Sequence, residues 1–343
     1  MKSLLPYLLA VNVFLIANVA ISQELFINGK VTDASGKALA GCSVYISNTS
    51  KGTVTSASGE FSLKNVPEGK YELIVSAIGY QTFVAMVSSG DYPHDLKIRL
   101  KPKSNELEEV VVEPIDKGGW RKWGKYFTDN FIGTTVNADH CKLLNPQALR
   151  FRFNKKANRL TARANEPLVI ENKALGYIVR FQLEEFTATF DDNIVVYLGY
   201  PYFREMESND ARKKLNWMKN RKRAFYGSLL HFMRALYRDD LQEQGYMVLA
   251  KREDEELTFY SLDTLMKANP DKSKRLFFQN KLTVIYQRNL NRTAEASEIY
   301  LDSSDGIDIQ PNGSYYSPKG LISNNHWGEY EKLSNMLPFD YTP

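Results

Sequence analysis

The sequence predicts a mainly β chain with an α+β second half. A seven-stranded antiparallel sandwich is expected first, then an α+β domain with a mainly antiparallel sheet and two consecutive helices. Three observations point there. Apolar and polar residues alternate through much of the first hundred positions, which is the period of half-buried strands. Gly-bearing turn signals break these runs at short intervals: Asp33-Ala-Ser-Gly36, Ser58-Gly59, Pro67-Glu-Gly69 and Ile78-Gly79. A long helical pattern falls later, in residues 207–241. With 343 residues there is room for two domains, and 43% hydrophobic residues suffice to build their cores. The 20 Tyr and 18 Phe favour strands.

The N-terminus reads as a secretory signal over residues 1–22. Lys2 supplies the positive end, Leu4 to Ile21 is largely apolar, and Ala20 and Ser22 are the small residues ahead of Gln23. Pro6, Asn12 and Asn18 argue against a retained spanning helix, and no Cys stands near the cleavage point to carry a lipid. No later stretch is long and apolar enough to span as a helix. The expectation is an exported protein of the periplasm or outer membrane. A formal net charge of +4 is too small to argue for nucleic acid. Of the two cysteines, Cys42 alternates with Val44 and Ile46, so it is expected in a core and not bridged to Cys141.

The sandwich is expected over residues 23–102. Leu25-Ile27-Gly29-Val31, Cys42-Val44-Ile46, Phe61-Leu63, Tyr71-Leu73-Val75-Ala77 and Leu96-Ile98-Leu100 are its inward rows. The order of Gly29-Lys-Val-Thr-Asp33, Gly36 to Val44, Gly52-Thr-Val-Thr, Gly59-Glu-Phe61, Pro67-Glu-Gly69-Lys-Tyr71 and Ile78-Gly79-Tyr80 resembles carboxypeptidase regulatory-like domains, which are transthyretin-like sandwiches. Departures are Cys42, where the family usually has Ala, and Thr55-Ser56, often Thr-Asp. The resemblance implies an accessory role. Such a domain accompanies the catalytic domain of secreted metallocarboxypeptidases, and it is similar to the N-terminal extension of TonB-dependent receptors. In those receptors an acidic, Val-rich TonB box follows. Glu108, Glu109, Val110, Val111 and Val112 in the linker, residues 103–118, resemble it. An extended β-branched segment is suited to adding to a sheet edge, in a partner or at home.

The second domain is expected over 119–343. Trp120, Trp123, Phe127 and Phe131 fall at helical spacing and predict a short helix docked on a sheet. Strands are read at Leu149–Phe153, Leu160–Ala164, Leu168–Ile170, Tyr177–Leu183 and Ile194–Leu198, and later at Tyr246–Ala250, Leu257–Tyr260, Arg275–Phe278, Lys281–Gln287 and Glu298–Leu301. Ser208 or Asn209 is expected to cap a helix running to Arg223. A second helix is expected from Ala224 to about Gln244, with Gly245 ending it. These helices argue against a membrane barrel.

The search for chemistry yields one cationic cluster and no catalytic set. A zinc peptidase needs His-x-x-Glu and a later His. His326-Trp-Gly-Glu329 is the one such pair, yet His94, His140 and His231 all precede it. No nucleophile elbow or phosphate loop is present, and Tyr226-Gly-Ser228 lacks the second Gly. Glu184-Glu185 and Asp191-Asp192 read as solvated pairs on opposite strand faces or in turns. No catalytic residue, metal or cofactor is assigned. His231, Arg234 and Arg238, at i, i+3 and i+7, are placed opposite the helix's apolar stripe, after a basic run from Arg212 to Arg223. They form the candidate site for an anionic envelope ligand. The reading is a non-catalytic envelope protein that binds a partner protein or such a ligand. The alternatives are a hydrolase, chiefly a peptidase, with the sandwich as accessory, or a TonB-linked accessory of outer-membrane uptake.

Overall fold

The computed structural model describes residues 26–343 apart from 67–68, 89–94, 104–113, 252–256, 260, 262–265, 288–292, 303–304 and 317–319. The expected signal segment and Glu108–Val112 lie outside the described residues.

The first seven strands are β1 (Ile27–Thr32), β2 (Ser43–Ile46), β3 (Gly52–Val54), β4 (Glu60–Leu63), β5 (Lys70–Ser76), β6 (Phe83–Ser88) and β7 (Leu96–Arg99). They form two facing sheets, ordered β4-β1-β7 and β3-β2-β5-β6. All pairings are antiparallel except β1 with β7, which run parallel. Between them lie Ile27, Val31, Val44, Ile46, Phe61, Leu73, Val75 and Ile98, the predicted inward rows. Cys42 is buried in that core, and neither cysteine is bridged. Gly59, at φ 78°, closes the β3–β4 turn so tightly that a Cβ there would come 2.5 Å from the Val31 carbonyl oxygen.

A second core follows. Helix α1 (Gly119–Phe131) lays Phe127 and Phe131 on a six-stranded sheet of β8 (Cys141–Leu143), β9 (Leu149–Asn154), β10 (Arg159–Ala164), β11 (Leu168–Asn172), β12 (Tyr177–Thr189) and β13 (Ile194–Glu205). The sheet centres on β12, which pairs with β10, β11 and β13. A bulge between Leu183 and Glu185 switches its buried parity: odd positions from Tyr177 to Leu183 face the core before it, Phe186 and Ala188 after it. Glu184 is the extra residue, so strict alternation does not hold for the Glu184-Glu185 pair.

Helices α2 (Ala211–Phe225) and α3 (Leu229–Arg238) are consecutive, as expected. Their bounds differ from the sequence reading. Asp210 caps α2 by accepting from the Arg212 and Lys213 amides, and the chain breaks at Tyr226–Ser228. Asp239 ends α3 in the left-handed region, at φ 63°, while Gly245 leads into the next strand. A third core surrounds α3, built by β14 (Tyr246–Lys251), β15 (Leu257–Phe259), β16 (Met266–Ala268), β17 (Lys274–Leu276), β18 (Leu282–Tyr286), β19 (Glu295–Leu301), β20 (Ile307–Ile309), β21 (Tyr315–Tyr316), β22 (Leu321–Asn325) and helix α4 (His326–Tyr330). These strands form antiparallel sheets ordered β15-β14-β18-β19-β22 and β16-β17-β20-β21. The molecule is mainly β throughout. No helix among the described residues is long and apolar enough to cross a membrane.

Candidate functional site

Three bodies meet at one place, and hydrogen bonds hold them there. The sandwich loop at 48–49 pairs with the outer edge of β13: the Asn48 amide donates to the Pro201 carbonyl at 2.8 Å, and the Phe203 amide to the Thr49 carbonyl at 3.0 Å. Pro201, lacking an N–H, sits on this edge strand at no cost to the β12 ladder. The segment after α4 returns across the junction. Its Phe339 amide donates to Asn48 at 2.6 Å, and Asp340 accepts from the Ser50 amide at 2.9 Å. From the third core, the Tyr316 hydroxyl donates to the Lys70 carbonyl on β5 at 2.8 Å.

Arg234 clamps this return. Its Nε donates to the Asn312 carbonyl at 2.8 Å, and its two terminal nitrogens donate to Tyr341 and Phe339 carbonyls, each at 2.9 Å. The guanidinium also lies over the Phe225 ring. Burial lowers its pKa to about 10, so it remains charged at neutral pH.

Between these contacts lies a cavity of about 320 Å³. The sandwich contributes Ser47, Asn48 and Glu72; the start of α3 contributes Ser228 and Leu229; the third core contributes Ser314 and Tyr315; the returning segment contributes Glu331 and Phe339. Glu72 and Glu331 are the only charged side chains among its described lining residues. Burial pushes the Glu331 carboxyl up to about 7, although it accepts a 2.9 Å hydrogen bond from the Leu229 amide. Burial also raises Glu72. The Ser314 hydroxyl has no hydrogen-bond partner among the described residues, although the residue is 1% exposed. Two half-buried carboxyl groups and the Ser314 hydroxyl form an acceptor-rich site in a partly aromatic wall.

The residues singled out from sequence are placed otherwise. His231, Arg234 and Arg238 share α3 but do not present one solvated face. His231 is 1% exposed and boxed by Phe225, Tyr226, Tyr246 and Tyr286. Its Nδ1 accepts from the Gly227 amide at 3.3 Å and its Nε2 lies 3.1 Å from Gln244 Oε1, an arrangement of the neutral ring protonated on Nε2. Arg234 is the clamp just described, and Arg238 pairs with Asp240 at 3.1 Å. In the basic run, Arg221 is buried: it donates to the Leu175 and Gly176 carbonyls, pairs with Glu205 and lies 4.0 Å over Tyr177. Ser228 caps α3 by accepting from the His231 amide. His326 lies 3.3 Å from a Glu295 oxygen. Among the described residues no three His, Cys, Asp or Glu side chains gather to hold a metal.

Comparison with known proteins bears on the first body. Residues 27–112 match the family model of the CarboxypepD_reg-like domain. The N-terminal region is similar to the TonB-dependent receptor SusC of Bacteroides thetaiotaomicron, 32% identical over 93 residues, which are 27% of this chain and 9% of the receptor. Likeness to solved structures is slight. A type II cohesin–X-dockerin complex from Acetivibrio cellulolyticus is 23% identical, with 22% of this chain and 51% of that chain covered and a TM-score of 0.17. A membrane-associated protein of unknown function from Bacteroides fragilis is 10% identical, with 88% and 95% covered and a TM-score of 0.19. Scores of this size carry no argument about the second and third cores. The N-terminal body of this chain is a carboxypeptidase regulatory-like domain.

Proposed function

We propose that this chain is a binding protein of the cell envelope. The sandwich serves as its interaction module, and the junction cavity takes a small ligand carrying a protonated amine. The observation that carries the reading is the cavity itself: two half-buried carboxyl groups and a Ser314 hydroxyl unpartnered among the described residues line it, with no Lys, Arg or His among its described lining residues. An ammonium offers three donors to these acceptors and a charge to the carboxylates. Tyr315 and Phe339 provide aromatic wall for the apolar body of the ligand. The envelope assignment is supported by the signal-like segment, the regulatory-like domain and the similarity to a TonB-dependent receptor.

Calorimetric titration with n-hexylamine, n-hexanol and glucose tests the site. The amine alone is expected to saturate. Its affinity is expected to rise roughly tenfold from pH 6 to pH 8, as Glu331 ionises through its midpoint near 7. Absence of saturable amine binding, or equal binding of hexanol, contradicts the proposal. Recovery of the expressed chain in the cytosolic fraction contradicts the compartment.

A further inference from the structure

The structure assigns a second binding site, for a ring-bearing phosphate monoester, to the cleft between the β2–β3 hairpin and the β12–β13 ladder, with Arg180 and Arg204 as its anion-holding groups. The cleft has a volume of about 330 Å³ and shares no lining residue with the junction cavity.

Strand register brings the two arginines together. Arg180 stands opposite Tyr202 and Ile178 opposite Arg204, so all four lie on one face of the ladder with the arginines on its diagonal. Diagonal Cβ atoms lie roughly 7–8 Å apart, close enough for two long guanidinium side chains to converge on one anion. Both arginines are exposed, and neither has a hydrogen-bond or ion-pair partner among the described residues. No carboxylate is among the residues lining the cleft. Three other arginines are committed: Arg221 to carbonyls and Glu205, Arg234 to three carbonyls, Arg275 to Asp308. What sets Arg180 and Arg204 apart is that they share one face of the ladder beside a concave wall.

The wall fits a ring. Tyr45 and Tyr202 pack with centroids 5.3 Å apart. Gly52 allows this, because a Cβ there would come 2.6 Å from the Tyr202 ring. The Tyr45 hydroxyl is occupied by the Tyr200 carbonyl at 3.1 Å, whereas the Tyr202 hydroxyl has no hydrogen-bond partner among the described residues and is a further donor. Val54, 62% exposed, and Ile178 supply an apolar rim. Two guanidinium forks match the oxygens and the double charge of a phosphate monoester better than a single carboxylate.

Titration with phenyl phosphate, inorganic phosphate, benzoate and phenol tests the assignment. Phenyl phosphate is expected to bind saturably, more tightly than inorganic phosphate or benzoate, and to weaken with added salt; phenol is expected not to bind. The R180Q/R204Q double variant is expected to lose at least tenfold in affinity with its circular dichroism and melting midpoint unchanged, since both side chains are exposed. Hexylamine is expected not to compete. Unsaturable phenyl phosphate, equal binding of phenol, or a folded double variant with undiminished affinity overturns the proposal. If the double variant fails to fold, the ligand series and salt dependence of the unaltered protein decide the matter.

Discussion

Glu331 links the chemistry of the cavity to the stability of the fold. Its folded-state midpoint of about 7 lies above the unfolded value of 4.5, so the folded state holds its proton more tightly. Its contribution is therefore fully present below the unfolded value. It is lost as pH climbs from about 4.5 through about 7, and is level beyond. The size is roughly 3.5 kcal/mol at most, at about 1.4 kcal/mol per tenfold change in proton affinity. Urea unfolding at pH 5 and pH 8 is expected to show this decline. The E331Q variant keeps an acceptor for the Leu229 amide without the charge, and is expected to remove most of the decline and to be the more stable protein at pH 8. An undiminished slope in E331Q would place the pH dependence elsewhere. His231 illustrates how residue spacing misleads. Its i, i+3, i+7 relation to two arginines was legible. The Tyr226–Ser228 break that turns it into an aromatic box was not, because that break arises from the packing of Gly227 against Tyr286 and Trp327.

At the scale of elements, α3 and the segment it holds are the joint of the molecule. Removing the Arg234 guanidinium leaves three carbonyls without their donor. An R234M variant keeps the stem that packs on Phe225 and is expected to lose about 2–4 kcal/mol. Hydrogen exchange at the Phe339 amide, which donates to Asn48, is expected to speed up while exchange in β5 and β12 stays slow. Equal acceleration in all three would mean that Arg234 stabilises the fold as a whole and not the joint. Elements buried on one face were readable: the sandwich rows, α1, and β9 to β13 all carry their period over enough residues to register. The parity switch at Glu184 was not, since a bulge inverts the pattern that reveals a strand. Strands β16, β20, β21 and β22 escaped too. They run two to five residues, too short for a period of two to stand out from chance.

At the scale of the whole molecule, three cores converge around one small space, and this explains why that space could not be read in advance. Its walls come from Ser47, Asn48 and Glu72, from the start of α3, from residues 313–316 and from the returning segment at Glu331 to Phe339, stretches that no sequence window joins. Glu72 and Glu331 look like ordinary surface carboxylates in the chain. Only the folded chain brings them, each half-buried, to the wall of one cavity. The regulatory-like domain was legible because its turns and rows recur in order, and it identifies one body of the three. On the proposed function, the junction cavity holds an ammonium against Glu331. Carbon-detected NMR of glutamate-labelled protein, titrated in pH with and without saturating n-hexylamine, addresses it directly. The Glu331 midpoint is expected near 7 in the free protein, lowered by about one pH unit or more with the amine bound. A midpoint unmoved by the amine would contradict it.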